Sequence, residues 1–207
     1  MQTKALFFFA VLLFSGLAIS HSASAAEFEI TPFAGYTTGG DFKDAQTGTS
    51  LSFDDTSSYG IMLDIKQEED SWVELYFSHQ QTRLRADQGP FFGNPLFNVD
   101  IDYYHIGGTY GEATGNVRPF VVATIGATRM VPQGADLHTE TKLSLSLGGG
   151  MKLYLTNHLG IRLDARWFGT FFNGSGSVFC SGGACLVNVQ GNVLSQVSAN
   201  AGVILAF

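Results

Sequence analysis

Charged side chains spaced two residues apart are the part of this sequence best suited to chemistry. Arg162, Asp164 and Arg166 alternate with apolar residues in one segment. Because residues two apart point to the same side of a β-strand, this segment would place both signs of charge on one face. Charges away from water are tolerated only when they are paired. The sequence therefore predicts one paired interior network, formed by Asp64, Lys66, Glu74, Lys152, Arg162, Asp164 and Arg166.

Two histidines could supply a general base, since imidazole titrates near neutral pH. His79 lies near the end of a strand-like segment, and His138 lies between two such segments. Either would act only if a serine and a carboxylate lay within hydrogen-bond reach, and no such pairing is apparent in the sequence. We therefore assign no catalytic residue, no metal site and no cofactor, and we interpret these histidines as ordinary polar residues.

The cysteines Cys180 and Cys185 lie close together in a glycine-containing segment. In an oxidising compartment such a pair forms a disulfide, which is our prediction, with two free thiols as the alternative. A zinc site would need further ligands, and none lie in that loop.

The first residues have the features of a secretory signal peptide. Lys4 precedes an apolar run from Ala5 to Ile19, and small residues that suit a cleavage site follow it. We expect a signal peptide at 1–26 and one outer-membrane β-barrel domain at 27–207, because this length is typical of a single domain. The net charge of −7 disfavours binding to nucleic acid.

The sequence after the signal peptide alternates with a period of two, which indicates β-strands. Eight segments show this pattern, at about 28–37, 57–66, 72–83, 99–110, 118–130, 143–155, 161–167 and 192–207. The connections between them are alternately short and long. An even number of strands, with short turns at one end and long loops at the other, is typical of outer-membrane barrels.

The composition indicates which face of the barrel is outside. Only 14% of the residues are charged, whereas a soluble domain carries about 25%, so lipid is the simplest cover for the apolar face. The other face carries small polar residues and the charges, which fit the narrow interior of an eight-stranded barrel. Aromatic residues near the strand ends would form girdles at the membrane interfaces. We assign to these girdles Tyr36, Tyr59, Trp72, Phe77, Tyr103, Tyr110, Phe120, Trp167, Phe168 and Phe207.

The pattern resembles the small outer-membrane β-barrels of the OmpA-like and OmpX-like kind. The resemblance rests on the signal peptide, on Gly148-Gly-Gly-Met-Lys-Leu-Tyr-Leu155, on Leu159-Gly-Ile-Arg-Leu-Asp-Ala-Arg-Trp167 and on the last strand, which ends in Phe207. It implies an all-β, eight-stranded, antiparallel, up-and-down transmembrane barrel in the outer membrane. It also implies that Phe207 is a recognition signal for the barrel assembly machinery.

The function that these features favour is structural or interactive, with the external loops binding a partner or shielding the cell surface. Outer-membrane lipid and lipopolysaccharide are the expected partners, and a host or surface ligand is a further candidate. No enzymatic activity is predicted. Three alternatives stay open: a lipid A-modifying enzyme that uses His79 or His138, a narrow gated channel, and a soluble periplasmic ligand-binding barrel with the opposite face outside.

Overall fold

The computed structural model describes residues 28–40, 42–44, 50–86, 95–133, 138–172, 177–181, 184–190 and 193–207. The expected signal peptide lies outside these residues. Within them, no helix is long and apolar enough to cross a membrane. The described strands are β1 (Phe28–Gly39), β2 (Phe42–Asp44), β3 (Ser50–Phe53), β4 (Thr56–Lys66), β5 (Ser71–Ala86), β6 (Pro95–Tyr110), β7 (Val117–Gln133), β8 (Glu140–Tyr154), β9 (Leu159–Phe171), β10 (Ser177–Ser181), β11 (Ala184–Gln190) and β12 (Val193–Ala206).

Eight of these strands close into one antiparallel barrel, which confirms the predicted fold. Strands β4 to β9 pair in sequence order. Strand β1 lies between β4 and β12, and β12 pairs with β9, which completes the ring. Where the chain ends meet, the Phe207 N–H donates to the Phe28 carbonyl at 2.9 Å, and the Phe28 N–H donates back at 3.2 Å. Each barrel strand is therefore paired on both sides, as a hydrocarbon environment requires.

The alternation in the sequence separates an outward and an inward face. Outward residues are apolar and exposed: Val121 is 62% exposed and Leu143 is 58% exposed. Inward residues such as Thr124 and Ser144 are buried. A large exposed belt of Leu, Ile and Val is unfavourable in water but is the normal exterior of a barrel in lipid. The apolar face is thus outside. The alternative of a soluble periplasmic barrel with the opposite face outside is therefore wrong.

Part of the aromatic assignment is also wrong. Tyr36, Tyr59 and Tyr110 are exposed on the outward face, as girdle residues should be. Four others are buried in the barrel interior, namely Trp72, Tyr103, Phe120 and Phe168. The strand alternation explains this placement, because Phe168 lies two residues beyond Arg166 and therefore shares its inward direction. Nearness to a strand end does not decide which way a side chain points.

The predicted long loops contain more strand than expected. Strands β2 and β3 lie in the first loop, and β10 and β11 lie in the last. Strand β3 pairs with the far end of β5, β2 pairs with β3, and β11 pairs with β2, so the sheet continues beyond the barrel. Leu51 and Phe53 of β3 pack into the same apolar cluster as Leu84 of β5. Strands this short show too few alternations to be recognised locally, because pairing with distant segments stabilises them.

Candidate functional site

A network of buried charges crosses the interior of the barrel. Its members are Glu29 on β1, Asp64 on β4, Glu74 on β5, Lys152 on β8, and Arg162, Asp164 and Arg166 on β9. None of them is more than 6% exposed. They point inward because each alternates with outward apolar residues. We call this group the lumen network.

Glu74 joins the lumen network to the two arginines of β9. Its carboxylate accepts hydrogen bonds from Arg166 Nη1 at 2.6 Å and Nη2 at 3.0 Å, and from Arg162 Nη2 at 2.5 Å. Strands β5 and β9 are opposite each other in the ring of eight, so these bonds span the lumen. Guanidinium–carboxylate pairs with two parallel bonds are among the strongest hydrogen bonds in proteins. Here they tie opposite walls of the barrel together.

Lys152 extends the lumen network toward β1 and β4. Its ammonium lies 2.6 Å from a Glu29 oxygen and 3.0 Å from an Asp64 oxygen. Asp64 also accepts from Arg162 Nη1 at 2.8 Å, and Glu29 accepts from the Tyr154 hydroxyl at 2.6 Å. Every cation of the network thus contacts at least two carboxylates. Such pairing offsets the large cost of removing charges from water.

Six of the seven residues that the sequence predicts for this network lie together. The seventh, Lys66, is at the end of β4, where its ammonium lies 5.9 Å from the centre of the Trp72 ring. The sequence analysis missed Glu29. The sequence pattern could have identified it, because Glu29 lies between the apolar residues Phe28 and Ile30. In the structure Glu29 is the register partner of Asp64 between β1 and β4.

An aromatic cluster covers the Arg166 side of the lumen network. The Arg166 guanidinium lies 4.5 Å from the centre of the Tyr76 ring. Tyr76 contacts Phe168, which stacks on Tyr103 with ring centres 4.3 Å apart. His105 packs against the same rings and hydrogen-bonds to hydroxyl groups of β7 and β8. Charged and aromatic side chains therefore both occupy the lumen.

A second polar group lies on the outside of the barrel. His79, Asp102 and Arg129 are register partners on β5, β6 and β7. His79 Nδ1 lies 2.6 Å from one Asp102 oxygen, and Arg129 Nη1 lies 3.7 Å from the other. The Asp102 side chain is 10% exposed and the Arg129 side chain 48%. We call these three residues the outward trio. Among the described residues, the only hydrogen bond of the His79 ring is the one to Asp102.

The remaining predicted residues lie apart from both groups. His138 is exposed between β7 and β8. Cys180 and Cys185 are register partners in the backbone pairing of the β10–β11 hairpin, and their disulfide stays a prediction. Phe207 is exposed at the seam between β12 and β1.

Comparison with solved structures identifies the fold. The outer membrane protein OprG from Pseudomonas aeruginosa matches with a TM-score of 0.63 and 16% identity, over 88% of this chain and 96% of its own. The outer membrane protein AlkL matches with a TM-score of 0.58 and 12% identity, over 92% and 94%. Neisserial surface protein A matches with a TM-score of 0.56 and 16% identity, over 87% and 97%. No family model matches the chain, and no curated protein matches it.

The outward apolar belt and the shared fold both place the protein in the outer membrane. The belt requires a lipid cover, and the structures that share the fold include proteins of the outer membrane, which agrees with the localisation expected from the sequence. At these identities the likeness concerns the fold and not the activity. The chain is an integral outer-membrane β-barrel with the fold of the small eight-stranded barrels.

Proposed function

We propose that this protein is a closed barrel that acts through what its extracellular side contacts, without conducting through its lumen. The observation that carries this proposal is the lumen network. Arg162, Arg166 and Lys152 are among the largest fully buried side chains of the molecule. They lie in the part of the lumen through which ions would have to pass.

The geometry of the network disfavours the narrow-channel alternative. To open a path, Glu74 would have to separate from both arginines of β9, and this would leave buried charges without partners. Breaking a buried ion pair in that way costs about 3–5 kcal/mol. An eight-stranded barrel also has an interior just wide enough for its own side chains. The same residues that would line a channel therefore close it.

The extracellular side offers more structure for binding than the lumen does. Strands β5, β6 and β7 have 16 to 17 residues each, whereas about 9–11 residues suffice to cross a membrane. Strands β2, β3, β10 and β11 enlarge the sheet at this end. We propose that this extension carries the surface interaction, with lipopolysaccharide or a host or surface ligand as its partner.

Planar-bilayer recording of the full-length protein tests the closed lumen. The wild-type protein should give no single-channel steps. The double variant Arg162→Ser/Arg166→Ser removes two large buried side chains and should give small steps, which shows that the assay detects a leak. Regular steps from the wild-type protein would overturn the closed-barrel proposal.

Attachment of cells that express the protein tests the surface role. Replacing residues 42–53 with a glycine–serine linker should preserve the heat-dependent gel shift of a folded barrel but lower attachment to epithelial monolayers. The matched control replaces the short turn at residues 67–70, at the opposite end, and should leave attachment unchanged. Equal attachment by wild type, loop variant and control would contradict the role of β2 and β3.

A lipid A-modifying enzyme is the second candidate, and the His79–Asp102 hydrogen bond is the observation that favours it. A carboxylate that holds Nδ1 of a histidine is how a general base is oriented. The candidate ranks second because the described residues supply no nucleophile hydrogen-bonded to His79. Mass spectrometry of lipid A from cells with the wild-type protein and with His79→Ala would separate the two, since only an enzyme changes the mass of lipid A.

We also propose that the barrel assembly machinery recognises the last strand through Phe207. Support comes from its position, because Phe207 is exposed at the seam where β12 meets β1. This step concerns assembly and is independent of the function of the finished barrel.

A further inference from the structure

The position of the outward trio is unusual for charged residues. Phe77 and Tyr104 are register partners on the lipid-facing side, with ring centres 5.2 Å apart. The next outward register pair, toward the long loops, is His79 and Asp102. Charged side chains on that face are costly at the bilayer centre and tolerated near the headgroups. The outward trio therefore lies at headgroup depth, on the same wall as the apolar belt.

An apolar groove lies directly beside the trio. It has a volume of about 450 Å³, and it is lined mainly by outward residues of β4 to β7. The lining includes Leu75, Phe77, Tyr104, Ile106 and Ile125. In the β5–β6 register, Phe77–Tyr104 and then Leu75–Ile106 are the next outward pairs below His79–Asp102. The apolar groove thus ends at the polar outward trio. This arrangement matches an amphiphile that has an apolar chain next to a polar headgroup.

The direction of β5 assigns this site to one leaflet. Strand β5 begins after the short turn at residues 67–70 and runs toward the long connection at 87–94. In outer-membrane barrels the short turns are periplasmic and the long loops extracellular. His79 is in the middle of β5, but the outward residues before it (Val73, Leu75 and Phe77) are apolar, whereas those after it (Gln81 and Arg83) are polar. The outward trio therefore lies at the extracellular edge of the apolar belt and meets the outer leaflet, whose main amphiphile is lipopolysaccharide with a phosphorylated lipid A anchor.

The charges of the trio suit a phosphate group. Asp102 is held by His79 at 2.6 Å, whereas the Arg129 guanidinium is 3.7 Å away and about half exposed. Arg129 therefore keeps N–H donors for an anion, and a guanidinium matches a phosphate geometrically. The Asp102 carboxylate accepts from Nδ1–H of His79. Nε2 is then an acceptor in the neutral ring, and it donates to a phosphate oxygen when the ring is doubly protonated.

We propose that the outward face of β4 to β7 binds one lipopolysaccharide molecule, with an acyl chain of lipid A in the groove and a lipid A phosphate on Arg129 and His79. Asp102 is a positioning residue that orients the imidazole. This site lies on the barrel wall, apart from the loops, so it goes beyond the surface role proposed above and can fail independently of it.

The test measures lipid A binding to the full-length protein in phosphatidylcholine nanodiscs. Arg129→Gln and His79→Ala should each weaken binding about tenfold or more, as expected for the loss of a hydrogen bond to a charged group. Ile106→Trp fills the groove with an apolar side chain and should also weaken binding. Arg83→Gln is the matched control, because Arg83 lies on the same face above the trio and pairs with Asp54 at 3.0 Å. A heat-dependent gel shift confirms that each variant is folded.

A second probe asks whether the phosphate is recognised. Dephosphorylated lipid A should bind the wild-type protein at least as weakly as phosphorylated lipid A binds Arg129→Gln, because it loses the contacts with both Arg129 and His79. Equal binding of both lipids, or equal binding by all variants, would overturn the site. Preferred binding of phosphatidylglycerol over lipid A would also overturn it. Loss of an acyl chain from the bound lipid, dependent on His79, would show hydrolysis and refute a site that only binds.

Discussion

Replacing Arg166 with methionine should destabilise the barrel by about 3–5 kcal/mol, the usual cost of breaking a buried ion pair. Arg166 donates two hydrogen bonds to Glu74 and lies 3.1 Å from Asp164. Methionine reproduces the arginine side chain only as far as the Nε position, so the change removes the guanidinium and its contact with Met62. The loss therefore reports mainly the unpaired carboxylates, together with the space that the guanidinium leaves.

Equilibrium unfolding in urea, with the protein folded in phospholipid vesicles, measures this change. Tryptophan fluorescence provides the signal, since Trp72 is buried in the barrel and Trp167 lies on its outward side. The matched control is Arg83→Met, because Arg83 is 51% exposed and pairs with Asp54 near the surface. Exposed pairs contribute about 0–1 kcal/mol. If the free energy of unfolding of Arg166→Met also lay within about 1 kcal/mol of the wild-type value, the lumen network would not stabilise the barrel.

A double variant separates charge pairing from packing. Glu74→Gln/Arg166→Met removes one charge of each sign, so fewer buried charges are left without partners. Its cost should be smaller than the sum of the two single costs, because contacting residues in one network are coupled by about 0.5–3 kcal/mol. If the cost of the double variant equalled the sum of the two single costs, Arg166 and Glu74 would act separately. That result would refute the ion pair that their distances indicate.

Three further predictions concern other parts of the barrel. Phe207→Ala should lower the amount of heat-modifiable protein in the outer membrane but not the stability of refolded protein, and equal amounts in cells would contradict its role as an assembly signal. Protein isolated without reductant should resist alkylation at Cys180 and Cys185, whereas free labelling of both would exclude the disulfide. Gly126→Ala should cost about 1–3 kcal/mol, as overpacking does, because its Cβ would collide with the Tyr104 carbonyl. Gly108→Ala, where a Cβ finds ordinary space, should be tolerated, and equal urea midpoints for the two would refute this account.

The sequence predicted the barrel well because a barrel is specified by a local rule. Each strand must alternate between lipid and lumen, and that alternation is visible in segments such as Leu143 to Leu155. The same rule placed the charges of β9 in the lumen. Strand ends were less exact, since strands β5 and β6 continue past the expected ends at Arg83 and Val99 to Ala86 and Pro95. Beyond the membrane, pairing continues where the lipid no longer imposes a pattern.

Contacts between distant segments could not be read from the pattern. Nothing local indicates that Glu74 faces Arg166 across the lumen, because that depends on the number of strands and the register between them. The outward trio shows the same limit. His79, Asp102 and Arg129 are each ordinary in their own segments, and only the pairing of three strands brings them side by side.

The outward trio differs from the other strongly polar groups of the barrel in where it lies. A barrel of this size keeps most of its strongly polar residues either inside, where they pair, or on the loops, where water covers them. Charged residues on the wall itself are far from water, and a lipid-facing wall supplies polar contacts only at the headgroups. Asp102 pairs with His79 and, at 3.7 Å, with Arg129, but the Arg129 side chain is still 48% exposed and keeps N–H groups for a further acceptor. A phosphate from the surrounding lipid would accept from these N–H groups, which is why the wall of this barrel, and not its interior, is where we expect specific lipid binding.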